Sequence, residues 1–97
     1  MNVGYGSAWT VDFGVTYFVY VLLCEDGSFY TGYAGNLKTR IKQHLTGKGA
    51  RYTRLHKPKK LVYVEEFATR SEAMRRERMI KRLSHGEKQK LVRTKHK

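Results

Sequence analysis

The segment 17–24 (YFVYVLLC) constrains the fold most, because almost every position in it is aliphatic or aromatic. A strand that is apolar on both alternating faces is typical of the middle of a sheet that is covered on both sides. The turn-forming residues 25–27 (EDG) follow, and 28–34 (SFYTGYA) has the pattern of a returning strand. The sequence therefore predicts a β-hairpin whose first strand is central.

The length of the turn decides which side chains of the hairpin share a face. A two-residue Asp-Gly loop would put Tyr20 and Tyr30 on opposite faces of the sheet. A three-residue loop with Gly27 in the left-handed conformation would instead pair Leu22 with Tyr30 and Tyr20 with Gly32. Only a loop with an odd number of residues places both tyrosines on one face.

A helix is predicted after the hairpin, because Asn36 is a good N-cap and Gly47 is a suitable C-terminal stop. Its apolar stripe consists of Leu37, Ile41 and Leu45. Arg40 and His44 fall together along one flank of that stripe. We expect these two side chains to border the core without belonging to it.

Residues 47–60 have no apolar period and many Lys and Arg residues, which predicts a basic loop leading into a third strand, 61–68. Thr69 and Glu72 have the spacing of a capping box. They open a second helix, and a short last helix is predicted over 87–93. The apolar positions of the second helix are Ala73, Met74, Ile80 and Leu83.

The element order β-β-α-β-α-α predicts an α+β domain, with a three-stranded, mainly antiparallel sheet flanked by helices. At 97 residues the chain is long enough for one domain only. The predicted boundaries are a flexible arm over 1–16, the domain over 17–93 and a basic tail over 94–97.

Charge is segregated along the chain, whose net charge is +12. Residues 1–37 contain no Lys or Arg and three acidic residues, whereas residues 38–97 contain twenty basic and five acidic residues. Such an excess favours a polyanionic partner, nucleic acid above all. The single cysteine excludes an intramolecular disulfide, so we expect a cytoplasmic protein. No apolar stretch is long enough to cross a bilayer, so we expect no membrane partner. We also expect a monomer.

Glu77 does not fit the core pattern of its helix. At about 100° per residue it lies inside the apolar face formed with Ala73 and Ile80. An unpaired buried carboxylate costs several kcal/mol, so it must be neutralised, paired with a cation or bound to a metal ion. A buried ion pair with Arg40 or another arginine is one interpretation. A magnesium site with a single carboxylate is the other, since Mg²⁺ keeps most of its waters.

Several of these residues also match a known signature. Residues 18–20 (FVY) and 30–32 (YTG), separated by nine residues, resemble the paired motif of GIY-YIG endonucleases. Arg40 and His44 follow in an L-x-x-R-x-x-x-H run, and Glu77 lies on a later helix. The resemblance extends from about residue 17 to residue 91, and it is strongest to the small stand-alone bacterial members.

The resemblance implies metal-dependent hydrolysis of DNA phosphodiester bonds, either structure-selective or non-specific, with one Mg²⁺ or Mn²⁺ ion held by Glu77. Arg40 would bind phosphate, for which a planar guanidinium is well suited. Tyr20 is favoured as the base that activates water, with Tyr30 as its positioning neighbour, although their roles could be exchanged. His44 would relay or accept the proton. A free phenol has a pKa of about 10, so Arg40 and the metal would have to stabilise the phenolate.

The basic run from Lys38 to Lys60 contains nine Lys or Arg residues and no acid, which predicts a surface that contacts the nucleic-acid backbone. The candidate contacts are Lys38, Lys42, Lys48, Arg51, Arg54 and Lys57. No recognition helix or zinc finger is visible, so substrate shape or a protein partner would select the target. Relatives often carry an Asn after the last major helix, where this chain offers only Gln89. The alternative function is therefore a non-catalytic module that binds DNA, RNA or ribosomal particles.

Overall fold

The computed structural model describes residues 16–95, which form a three-stranded sheet and four helices. The elements are β1 (Tyr17–Cys24), β2 (Phe29–Ala34), α1 (Leu37–Leu45), α2 (Arg51–Leu55), β3 (Pro58–Phe67), α3 (Arg70–Lys81) and α4 (His85–Lys95). The predicted α+β class and the antiparallel sheet flanked by helices are confirmed. The predicted order is observed with one addition, the short helix α2 between α1 and β3.

The sheet has the order β2-β1-β3, so β1 is central, as the sequence predicts. Both neighbours run antiparallel to β1. In the hairpin, Leu22 pairs with Tyr30 and Tyr20 pairs with Gly32. Gly27 has a φ of 85°, which is the left-handed conformation required by the three-residue turn. The predicted register is therefore confirmed, and Tyr20 and Tyr30 point to the same face.

The two faces of the sheet are covered by different helices. On one face Val19 and Val21 of β1 form a buried apolar cluster with Ala73 and Ile80 of α3, and side chains of α4 pack against it. On the other face Tyr20 points toward α1, where its hydroxyl meets a histidine. A dry core therefore lies on one side of β1 and a polar, buried cluster lies on the other.

The hairpin turn is held from both sides of the sheet. Asp26 accepts hydrogen bonds from the backbone and side chain of Ser28, and its carboxylate lies 2.6 Å from Nδ1 of His56, which caps α2. From the opposite face, Nε2 of His85, the first residue of α4, lies 2.9 Å from the Gly27 carbonyl oxygen. The turn that sets the hairpin register is thus anchored to two helices.

The prediction for residues 47–60 was wrong in two places. Residues 51–55 form α2 rather than loop, and β3 begins at Pro58 instead of residue 61. The helix has five residues and buries only Thr53, so its sequence shows no apolar period. Periodicity therefore could not predict the helix. Proline is tolerated as the first residue of an edge strand because it has no N–H to donate to the ladder.

Helices α1 and α3 begin where the sequence predicts, whereas α4 begins at His85, two residues before the predicted start. The Asn36 side chain accepts a hydrogen bond from the Thr39 backbone N–H, and the capping box of Thr69 and Glu72 is complete. The last helix is longer than predicted and runs through Lys95, into the predicted tail. The predicted arm lies outside the described residues except for Thr16. None of the helices in the described part of the chain has the length and apolarity to cross a membrane.

Replacing Gly27 by alanine tests whether the left-handed turn residue supports the fold. An L-residue in this conformation costs about 1–2 kcal/mol, so Gly27→Ala should lower the free energy of unfolding by that amount, as measured by urea denaturation. Gly86→Ala in the first turn of α4 is the matched control, because an added Cβ there has no neighbour within 4 Å. Equal effects of the two substitutions would contradict the role given to Gly27.

Candidate active site

Tyr20 is fully buried, and its phenol lies across the backbone of Gly32 on the neighbouring strand. A Cβ at position 32 would lie 2.6 Å from the Tyr20 hydroxyl and 3.0 Å from Cε2 of Tyr30. The centroids of the two tyrosine rings are 6.3 Å apart. Only glycine at position 32 leaves room for both rings. The glycine of the second tripeptide therefore makes space for the tyrosine of the first.

His44 belongs to the core, which corrects the prediction that it only borders it. It is 1% exposed, whereas Leu45, predicted to lie on the apolar stripe, is 59% exposed. The reason is that both ring nitrogens of His44 find partners inside the protein, so burial leaves no polar atom unsatisfied. Nε2 lies 2.7 Å from the Tyr20 hydroxyl and Nδ1 lies 2.7 Å from the Thr53 hydroxyl.

A second glycine allows the chain to close over His44. Gly49 lies in the loop between α1 and α2, and a Cβ there would be 2.9 Å from the His44 Cα and would collide with Nδ1 of the ring. Because the loop packs so closely, α2 begins beside the histidine and Thr53 reaches its ring. The sequence assigned no role to this glycine.

Arg40 is one turn before His44 on α1 and is half-buried. Its Nη1 donates a hydrogen bond of 2.9 Å to Oε1 of Gln43, which holds the guanidinium near the helix surface. The guanidinium also lies close enough to the Tyr20 hydroxyl to lower its pKa. The structure thus brings Tyr20, Tyr30, Arg40 and His44 together, as the sequence predicted for the candidate catalytic group.

The environment of Tyr20 keeps its hydroxyl protonated. Burial is the main cause, and together with the neighbouring Tyr30 it raises the pKa of Tyr20 to about 12. Arg40 acts in the opposite direction through its hydrogen bond and its charge, and the carboxylate of Glu77 adds a small upward effect. Arg40 alone therefore does not bring the pKa of Tyr20 down to its usual value.

His44 is held in its neutral form. Burial lowers the pKa of its imidazole, and the positive charge of Arg40 lowers it further. A neutral imidazole has one bare nitrogen, which can accept a proton at physiological pH. His44 is therefore suited to take the proton of a hydrogen-bonded hydroxyl.

Glu77 lies on α3 between the buried residues Ala73 and Ile80, and only 15% of its side chain is exposed. The predicted position inside the apolar face is thus observed. Its Oε2 lies 3.2 Å from Nζ of Lys81, which is half-exposed, so its salt-bridge partner is this lysine rather than an arginine. Within residues 16–95 no group of three or more His, Cys, Asp or Glu side chains could enclose a metal ion. The donor set fits an ion that needs few protein ligands.

The six basic residues predicted to contact nucleic acid are all exposed. They are Lys38, Lys42, Lys48, Arg51, Arg54 and Lys57. Beside them the ring of Tyr52 stacks on His56 at 4.1 Å and on Tyr30 at 5.9 Å, which connects the basic segment with the buried cluster. In the sequence, only the presence of an aromatic residue, Tyr52, within the basic run indicated this packing. No sequence feature indicated a role for Thr53.

Gln89 does not join the cluster. It lies near Leu23, Phe29 and Val92, on the face of the sheet opposite to Tyr20. The suggestion that it could replace a site asparagine stays a prediction.

Comparison with known proteins agrees with this arrangement. Residues 16–90 match the model of the GIY-YIG catalytic domain. A UPF0213 protein of Oceanobacillus iheyensis is 50% identical over 76 residues, which cover 78% of this chain and 88% of that protein. A UPF0213 protein of Staphylococcus saprophyticus is 47% identical over 76 residues, covering 78% and 93%.

Two solved structures are also similar. The solution NMR structure of a UPF0213 protein from Bacillus halodurans has 48% sequence identity and a TM-score of 0.55, covering 82% of this chain and 85% of that one. The solution NMR structure of a protein from E. faecalis has 41% identity and a TM-score of 0.58, covering 84% and 86%. The sequence-based family prediction is confirmed.

The lowered pKa of His44 predicts how stability depends on pH. Above pH of about 6.5 the histidine is neutral in both states, whereas below it the unfolded chain binds a proton that the folded chain does not. The free energy of unfolding should therefore fall as the pH falls from 7.5 to 5.5, with a contribution of up to about 1.4 kcal/mol per pH unit. Urea denaturation of His44→Gln should show a shallower slope than the native chain. The exposed His85→Gln serves as control, and equal slopes for native chain and His44→Gln would contradict the prediction.

Proposed function

This chain belongs to the GIY-YIG family, and from that premise we propose that it is an endonuclease that hydrolyses DNA phosphodiester bonds with one divalent metal ion, Mg²⁺ or Mn²⁺. Family membership supports the coarser statement that it carries a domain of the nuclease superfamily. The observation that carries the proposal is the 2.7 Å contact between the Tyr20 hydroxyl and Nε2 of a buried, neutral His44.

Tyr20 and His44 would activate the attacking water together. With a pKa of about 12, Tyr20 is almost entirely protonated at neutral pH, so it can take a proton from water only if it passes its own proton to an acceptor. His44 offers that acceptor at hydrogen-bond distance, and its lowered pKa keeps one nitrogen bare. Tyr30 packs 5.0 Å from the His44 ring, between centroids, and we assign it the role of positioning the pair.

Arg40 would bind the scissile phosphate. Its guanidinium is permanently charged and close enough to act on the pKa of Tyr20, so phosphate oxygens bound by Arg40 would lie beside the activated water. Phosphoryl transfer depends chiefly on positioning and on positive charge near the developing negative charge. Gln43 limits the freedom of the guanidinium through its hydrogen bond with Nη1.

Glu77 would hold the metal ion. Its carboxylate is mostly buried and forms a salt bridge with the half-exposed Lys81, which leaves oxygen lone pairs for a hard cation. When bound, the ion supplies positive charge that polarises the phosphate and stabilises the leaving oxygen. Glu77 is close enough to Tyr20 to act on its pKa. A cation held by Glu77 would therefore also be close enough to stabilise the phenolate of Tyr20, in addition to Arg40.

The exposed basic residues would bind the DNA backbone. They lie on α1, on α2 and in the loops next to them, the same elements that carry Arg40, His44 and Thr53. Backbone binding of this kind is independent of sequence and depends strongly on salt. The substrate would therefore be positioned over the buried cluster by charge.

A non-catalytic nucleic-acid-binding module is the second candidate function. The observation that favours it is the raised pKa of Tyr20, because a phenol that stays protonated contributes nothing to hydrolysis. In that case the basic surface would bind DNA or RNA while the cluster would serve stability. Cleavage experiments separate the two functions.

Nicked, branched, single-stranded and plasmid DNA should be incubated with the protein in Mg²⁺ or Mn²⁺. Cleavage should fall at least about 100-fold in Tyr20→Phe and in Glu77→Gln, because general base catalysis and metal binding are removed while the shapes of the side chains are kept. Chelation by EDTA should stop the reaction of the native chain. Initial rates on labelled DNA measure the effect.

Glu66→Gln is the matched control for this experiment, because Glu66 is an exposed carboxylate on β3 and should retain native activity. Cleavage that survives in Tyr20→Phe and Glu77→Gln would indicate a contaminating nuclease. Binding without cleavage of any substrate would establish the module and reject the enzyme.

The binding surface predicts a salt effect. Each phosphate contact contributes roughly −0.9 to the slope of log affinity against log salt concentration. Replacing Arg51 and Arg54 by alanine should make the slope less steep by up to about 1.8, measured by fluorescence anisotropy with duplex DNA. Lys90→Ala with Arg93→Ala on α4 is the matched control, because that helix packs on the opposite face of the sheet. Equal changes in both double variants would place the binding surface elsewhere.

A further inference from the structure

We propose that Thr53 is a positioning residue, which holds His44 in the tautomer with its proton on Nδ1 so that the bare Nε2 accepts the proton of Tyr20. The catalytic part of this inference rests on the proposed nuclease function. The tautomer itself is a property of the folded chain and can be measured without any reaction.

Tyr20, His44 and Thr53 form a chain of hydrogen bonds that ends at the backbone carbonyl of Ala50. A carbonyl oxygen only accepts, and the Thr53 hydroxyl lies 2.9 Å from it. A threonine hydroxyl has a single proton, which is used in this bond. Toward any other partner the Thr53 oxygen is therefore an acceptor.

The direction of each remaining bond follows from that end. Nδ1 of His44 lies 2.7 Å from the Thr53 oxygen, so Nδ1 must carry the proton and donate it. A neutral imidazole then has no proton on Nε2, which lies 2.7 Å from the Tyr20 hydroxyl and accepts from it. The phenol proton of Tyr20 is therefore directed at His44.

The opposite tautomer would break this order. With the proton on Nε2, the histidine would donate to the Tyr20 oxygen, and the phenol proton would lose its acceptor. The Thr53 proton would have to turn from Ala50 toward the bare Nδ1. Only the Nδ1–H tautomer makes all three contacts hydrogen bonds at once, and burial makes each unmade bond costly.

The proton balance shows why the tautomer matters for hydrolysis. Tyr20 would pass its proton to Nε2 of His44 and take one from water, so that hydroxide forms while Tyr20 regains its O–H bond. His44 becomes a cation that still donates from Nδ1 to Thr53. The leaving oxygen takes up a proton from solvent, and His44 returns its extra proton to solvent. With Nε2 already protonated the first step has no acceptor.

The site of Thr53 is consistent with this role rather than with packing alone. It is the buried residue of a helix of only five residues, and its hydroxyl makes both bonds on which the argument depends. Helix α2 begins beside the histidine because Gly49 permits the close approach of the loop. The chain has thus placed a hydroxyl, not an aliphatic group, against Nδ1.

Thr53→Val and Thr53→Ser form the decisive pair, because valine keeps the shape without the hydroxyl and serine keeps the hydroxyl. Long-range ¹H–¹⁵N NMR spectra near neutral pH distinguish protonated from bare ring nitrogens, and His44→Gln assigns the signals. The native chain and Thr53→Ser should carry the proton on Nδ1. Thr53→Val should move it to Nε2 in a large fraction of molecules, with a folded-state backbone spectrum.

Steady-state cleavage supplies the second measurement. The kcat of Thr53→Val should fall about 10- to 100-fold with little change in KM, and Thr53→Ser should restore it. A native chain with its proton on Nε2, or a Thr53→Val chain that keeps Nδ1–H, would overturn the inference. A shifted tautomer with unchanged kcat would overturn its catalytic part. If the native chain cleaves no DNA, the proposed function fails, while the NMR result still decides the tautomer.

Discussion

The three-residue turn between β1 and β2 is the constraint on which the candidate site depends. Because side chains alternate along a strand, one residue more or fewer in the turn would send Tyr30 to the face opposite Tyr20. Gly27 provides the left-handed residue, and Asp26 and the Gly27 carbonyl are tied to helices on both faces of the sheet. Helix α2, beside the candidate site, and helix α4, beside the apolar core, therefore also stabilise the hairpin register that brings the two tyrosines together.

The site combines two opposing electrostatic demands. Burial gives the Tyr20 hydroxyl a fixed direction and a well-defined partner, but it also raises the pKa of the phenol to about 12. The same burial keeps His44 neutral and ready to accept a proton. Desolvation thus keeps both groups uncharged, so that the hydroxyl of Tyr20 and the imidazole of His44 share one hydrogen bond. The positive charges of Arg40 and of a bound ion would then reduce the cost of the phenolate.

Much of the fold could be predicted from the sequence because it is specified by local chemistry. The hairpin register followed from one turn, and the helix starts followed from the side chains of Asn36 and Thr69. The burial of His44 could not be predicted, because apolar periodicity favours Leu45, which is exposed. What decides the matter is a hydrogen bond between His44 and Thr53, nine residues further along the chain, and no periodicity describes such a partner.

The short helix α2 explains how so small a domain supports a buried polar cluster. A buried histidine and tyrosine need partners for every polar atom, and the sheet itself offers none, since its backbone groups are used in the ladder. Helix α2 supplies the missing acceptor at its N-cap, where the Ala50 carbonyl ends the chain of bonds that starts at Tyr20. Arg51 and Arg54 remain on the outside of the same helix, exposed to a polyanion. One segment therefore completes the buried cluster with its inner side and attracts nucleic acid with its outer side, which is why a basic run without an apolar period still forms ordered structure.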